Sequence, residues 1–105
     1  MSEFRRALGS VLKPVDNKSA DYTSDAVNLA GARSVLILAH DEGAFAGSIT
    51  VKAALSDGTT TTAYKQHGAA LTLDRVERLD FAPPLIKIDV VRTAGAVSVW
   101  VQAVR

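Results

Sequence analysis

Residues 48–56 read Ser-Ile-Thr-Val-Lys-Ala-Ala-Leu-Ser, and Asp57-Gly58 follows at once. Ile49, Val51, Ala53 and Leu55 fall on one side of an extended chain, with Ser48, Thr50, Lys52 and Ser56 on the other. Successive strand residues point to opposite faces, so this period of two describes a strand with one face buried. Asp-Gly tolerates the positive φ angles of a tight hairpin turn. The threonine-rich residues 59–65 are then expected to fold back beside the strand.

The same rhythm extends in both directions. Upstream, residues 34–42 (SVLILAHDE) form an unbroken apolar run closed by polar residues and Gly43, the pattern of a strand covered on both faces. Downstream, residues 85–92 alternate, with Ile86, Ile88 and Val90 inward and Lys87 and Asp89 outward. Thr93-Ala94-Gly95 supplies a turn, and residues 96–104 return as the last strand. Its inner row is Val97, Val99 and Val101, and Trp100 points the other way.

Residues 69–74 and 78–81 suggest two shorter strands before Pro83-Pro84, where proline has no amide hydrogen to give a ladder. Residues 26–29 suggest another, and residues 16–24 read as polar and turn-like. Turn signals recur about every 8–12 residues from Val35 onward, the spacing of a sandwich or barrel. The expectation is an all-β fold, an antiparallel β-sandwich of about seven to eight short strands, with the jelly roll as one form of it. An eight-stranded barrel is the alternative, and strand order is not legible. Residues 1–20 are expected to be an irregular arm or short helix, and residues 21–105 the sandwich domain.

Composition narrows the function. A chain of 105 residues suits one domain, and 48% hydrophobic residues suit a globular one. Aromatics are only 6%, so the core is thin and built from small aliphatic residues. The chain has no cysteine, which removes disulfides, thiolate metal sites and thiol nucleophiles and suits assembly in a reducing cytoplasm. The net charge is +1 and the only basic doublet is Arg5-Arg6, too little for phosphate neutralisation, so no nucleic-acid partner is expected. Nothing approaches the roughly 20 apolar residues of a membrane-spanning helix, and the start lacks the apolar run of a signal peptide, so no membrane partner is expected.

A search for chemistry returns ordinary structure. His40-Asp41-Glu42 contains metal-ligand types, but consecutive strand residues face opposite ways and all three cannot meet one ion without a bulge. Asp16, Asp21 and Asp25 lack the spacing and glycine of a calcium loop. Asp74, Glu77 and Asp80 read as solvated loop carboxylates rather than a glycosidase pair. No serine stands in a nucleophile elbow, and no phosphate loop or dinucleotide fingerprint occurs. No catalytic residue, metal ligand or cofactor site is assigned.

Two features point to contact instead. Trp100 opposes the valine row of its strand, and Leu36 and Leu38 oppose Val35 and Ile37, which leaves more apolar surface than two small sheets need. The second is the stretch Phe4-Arg5-Arg6-Ala7-Leu8, which reads as an arm that docks on another subunit. In it Phe4 and Leu8 are the apolar contacts, and Arg5 and Arg6 pair with carboxylates.

From Asp21 onward a loose pattern adds to this reading. Asp21-Tyr22-Thr23-Ser24-Asp25 precedes a short strand, Gly31 and an apolar strand. The Asp57-Gly58 turn, the threonine-rich return and the closing strand pair follow. This resembles small structural proteins of tailed-phage particles, and in size a capsid decoration (cement) protein. The resemblance rests on strand rhythm, so no functional residue carries over. It implies a virion protein made in the host cytoplasm, seated on the capsid surface and binding the major capsid protein. It also implies a homo-oligomer, a trimer being favoured. The alternatives are a head–tail connector or tail component, and a carbohydrate-binding module.

Overall fold

The computed structural model describes residues 11–29, 31–54, 64–80 and 83–104, and among these it contains strands, turns and no helix. Nine strands follow in order: β1 (Val11–Lys18), β2 (Tyr22–Thr23), β3 (Val27–Asn28), β4 (Ser34–Asp41), β5 (Ala46–Ala54), β6 (Lys65–Gln66), β7 (Arg75–Leu79), β8 (Leu85–Ala94) and β9 (Val97–Val104). They form two antiparallel sheets. One has four strands in the order β1-β9-β4-β7; the other has the order β2-β8-β5-β6, with β3 also on β8.

β2 and β3 are one interrupted edge strand. Tyr22 pairs with Val90 and Val27 with Ile86, so both pieces run along β8 with one extra residue between them. Ser24 bridges the gap: its amide donates to the Ile88 carbonyl at 2.9 Å and its hydroxyl accepts from the Ile88 amide at 2.9 Å. The hydroxyl stands where a backbone carbonyl would, so the ladder keeps its bonds through the bulge. With these pieces counted as one, every connection except β5–β6 crosses from one sheet to the other.

The core is the meeting of two aliphatic rows. Val15, Val35, Ile37, Ala39, Val97, Val99 and Val101 come from the four-stranded sheet. Val27, Ile49, Val51, Ile86, Ile88 and Val90 come from the other, and all of these are buried. The alternations of residues 85–92 and 96–104 therefore point as their sequence indicates. β-branched side chains fill the narrow space between stacked sheets with few rotamers to lose.

Several segments differ from expectation. Residues 11–18, assigned to the arm, are the edge strand β1, which pairs with β9 through two register shifts. Pro14 is tolerated there because an edge strand has one side that need not donate. Residues 16–24 are not one turn; they contain the end of β1 and all of β2. Residues 69–74 form no strand. His67 and Leu71 amides bond to β5, whereas the Asp74 amide bonds to Ala39 of β4. This stretch crosses between sheets, so its apolar alternation packs Leu71 and Leu73 on the core without a ladder. The strand expected at 78–81 lies at Arg75–Leu79. β5 and β6 do pair antiparallel, Lys52 with Gln66 and Ala53 with Lys65, whereas the Asp57-Gly58 turn lies outside the described residues.

A candidate docking face on the four-stranded sheet

The outer faces of the two sheets differ in chemistry. On the five-stranded sheet, Thr23 donates to Asp89 at 2.8 Å and Lys52 pairs with Asp89 at 3.2 Å. Lys87 lies 4.7 Å from the centre of the Tyr64 ring. That face is laced with polar contacts and suits water.

The four-stranded sheet turns an apolar face outward. Leu38 sits opposite Trp100 on one side and Val76 on the other, while Leu36 sits opposite Gln102 and Arg78. Val11 joins from β1, opposite Gln102. Two cross-strand rows therefore build a concavity of about 510 Å³ whose walls include Val11, Leu36, Leu38, Val76 and Trp100. Val11 is 57% and Val76 60% exposed, unusually wet for valines. Leu36, Leu38 and Trp100 are each half-buried on this face. Cross-strand pairing explains it: β4 is apolar on both faces, and its register sets the outward leucines beside the outward tryptophan.

One end of this face is charged. His40 Nδ1 lies 2.9 Å from Asp74 Oδ1, and its Nε2 lies 3.8 Å from Glu42 Oε1. The His40 ring is 5.9 Å from that of Trp100, and Lys13 Nζ sits 4.6 Å from the Trp100 ring centre. Asp74, at φ 55°, accepts from the Asp41 amide at 3.1 Å and so pins the start of β7 to the end of β4. Asp41 instead caps the loop after β4, accepting from the Gly43 amide at 2.8 Å and the Phe45 amide at 3.0 Å. His40 and Asp41 thus serve different neighbours, and among the described residues no group of three or more His, Cys, Asp or Glu could hold a metal ion.

The Phe45 amide, then that of Gly43, holds the Asp41 carboxyl below its ordinary range, with His40 adding a smaller push the same way. A depressed folded-state value means the contribution is present above the unfolded value, near 3.9, and is lost as pH falls through the lower folded value. Asp41→Asn is therefore expected to flatten the acid limb of the stability curve. Denaturant melts at pH 7 and below pH 4 measure this, and an unchanged acid limb would remove the cap from the account.

The other sequence candidates are dispersed. Asp16 pairs with Lys13 at 2.9 Å, Asp21 accepts from the Arg92 amide at 2.7 Å, and Glu77 accepts from the Thr72 amide at 2.7 Å. Asp80 lies 3.3 Å from Arg78. Trp100 is brought to the face with Leu36 and Leu38, whereas Phe4, Arg5, Arg6 and Leu8 lie outside the described residues. Val11 and Val76 were not singled out in the sequence. Val76 falls between the two short strands expected there, and only the shift of β7 to residues 75–79 puts it beside Leu38.

Among the described residues the aromatics do not form one platform. Trp100 belongs to the four-stranded sheet; Tyr22 belongs to the other sheet and packs against the core.

No protein-family model matches the sequence, and no curated protein matches it. Among solved structures, the crystal structure of the SPBc2 prophage-derived protein YomS is similar with a TM-score of 0.70. The match covers 92% of this chain and 93% of that one, at 12% sequence identity. The likeness is one of fold: this chain shares the two-sheet architecture of that prophage-derived protein.

Proposed function

We propose that the protein is a non-enzymatic structural component of a phage particle, a capsid decoration protein that binds the outer surface of the head and stabilises it. The observation that carries this reading is the apolar face around Leu38 and Trp100. Aliphatic and aromatic walls gain by excluding water and offer a partner a seat. The fold shared with a prophage-derived protein supports a phage origin. We read the sheet-to-sheet winding as a jelly roll, an arrangement common in shell-forming proteins.

The partners in this reading are the major capsid protein and further copies of the chain, with a trimer favoured, and the site of action is the capsid surface after synthesis in the host cytoplasm. A protein that binds only the assembled shell stabilises it by mass action and needs no chemistry. A head–tail connector or tail component draws on the same two supports and differs in copy number.

Quantitative mass spectrometry of purified particles of the phage that encodes the chain tests this directly. Copies of the same order as the major shell protein are expected. A handful of copies per particle would move the protein to the neck or tail, and its absence would overturn the virion reading.

A further inference from the structure

The apolar face on the four-stranded sheet needs an occupant, and the chain itself carries a matching one. We infer that the concavity of one copy receives the N-terminal residues 1–10 of a second copy, with Phe4 and Leu8 against Leu38, Val76 and Trp100. This deepens the reading of the protein as an assembling structural component and rests on it.

Three observations lead there. The first is where the described chain begins. Val11 itself lines the concavity, so the ten preceding residues join the molecule at the rim of the apolar face. Fully extended, they reach about 33 Å, comparable with the 36 Å longest dimension of the molecule, which is enough to meet a neighbour.

The second is chemical match. The segment Met-Ser-Glu-Phe-Arg-Arg-Ala-Leu-Gly-Ser contains two large apolar side chains flanking an arginine pair. The face presents apolar walls and, at its His40 end, the carboxylates of Glu42 and Asp74. Phe4 and Leu8 suit the walls, and Arg5 and Arg6 suit the acidic end.

The third is direction. β1 runs antiparallel to β9 and starts opposite Gln102, so the line of β1 at Val11 leads off the sheet past the C-terminal end of β9. That line leads away from the molecule's own apolar face rather than back over it. An arm passed from each copy to the next is a heterologous contact, which forms a ring such as a trimer where the rotation closes.

The chain has no cysteine, which makes a crosslinking test clean. Full-length Phe4→Cys and Val76→Cys chains, carrying tags of different size, are mixed and oxidised. A disulfide between the two chains is expected. In parallel, light scattering after size exclusion is expected to show an oligomer that residues 1–9 and the face both support. Deleting residues 1–9, or replacing the exposed Val76 by Lys, should each weaken association roughly 30-fold while the far-ultraviolet circular dichroism of the folded chain is unchanged. A disulfide formed only within a Phe4→Cys/Val76→Cys double variant that stays monomeric would overturn the inference in favour of the chain covering its own face. A monomer with no crosslink, or an oligomer indifferent to both changes, would overturn it as well. Abundant copies on particles together with either of those results would reject this seam while leaving the virion reading intact.

Discussion

Gly95→Ala is expected to destabilise the protein by about 3 kcal/mol, and Gly43→Ala, one loop away, by less than about 0.5 kcal/mol. Gly95 turns the chain between β8 and β9 at φ 72°, in the left-handed region that costs an L-residue about 1–2 kcal/mol. The larger problem is space. A Cβ on Gly95 would press on the carbonyl oxygens of Gly43 and Ala44 and come within 2.5 Å of the Ala44 carbonyl carbon. These are backbone atoms of the loop between β4 and β5, so no side chain can swing aside. The Gly95 carbonyl also accepts from Arg92 Nε at 2.7 Å, which limits how far the turn can back away. Around Gly43, by contrast, a Cβ meets nothing within 4 Å. Thermal melts of the two variants decide the matter: the Gly95 variant should melt about 15 °C lower and the Gly43 variant close to the parent. Equal melting points would mean that the two loops do not touch as described.

The second large effect concerns two buried serines with opposite prospects. Ser98 is fully buried on β9; its hydroxyl donates to Glu42 Oε2 at 2.6 Å and accepts from the Asn17 amide at 2.8 Å. It joins β1, β9 and the loop after β4 in one chain of hydrogen bonds. Ser98→Ala leaves a backbone donor and a carboxylate unmatched, at about 2 kcal/mol, or about 10 °C in melting temperature. Ser34 is 1% exposed, and its hydroxyl has no hydrogen-bond partner among the described residues. Ser34→Ala removes a polar group already desolvated without compensation, so stability should hold or rise by up to about 1 kcal/mol. If both changes cost the same, the lost volume rather than the hydrogen bonds would be responsible.

These positions show how differently the parts of this protein can be read. The inward rows of β8 and β9 were legible because a period of two in Val and Ile has one physical solution, a half-buried strand. Leu36, Leu38 and Trp100 were legible as surplus apolar surface for the same reason. Where that surplus meets was not, because register couples residues more than sixty positions apart and leaves no local trace. Val76 shows the cost. Its short strand has no clean alternation, and only pairing with β4 makes it part of the face.

Residues 69–74 mislead for a related reason. Leu71 and Leu73 alternate as a strand would, yet their backbone bonds go to both sheets in turn, a choice made by the distance to be crossed. The polar appearance of residues 16–18 hid the end of β1 because an edge strand buries little and tolerates proline and charge.

By itself, then, the sequence determined the all-β class, the inward rows of the long strands, the turn at Gly95 and the absence of cysteine chemistry. Each follows from local geometry or composition, which no distant residue can change. Tertiary structure alone decided the strand order, the backbone contact that makes Gly95 irreplaceable, the fates of Ser34 and Ser98, and the gathering of Val11, Leu38, Val76 and Trp100 on one face. Those depend on which segments lie side by side, and that is set by burying the whole core at once.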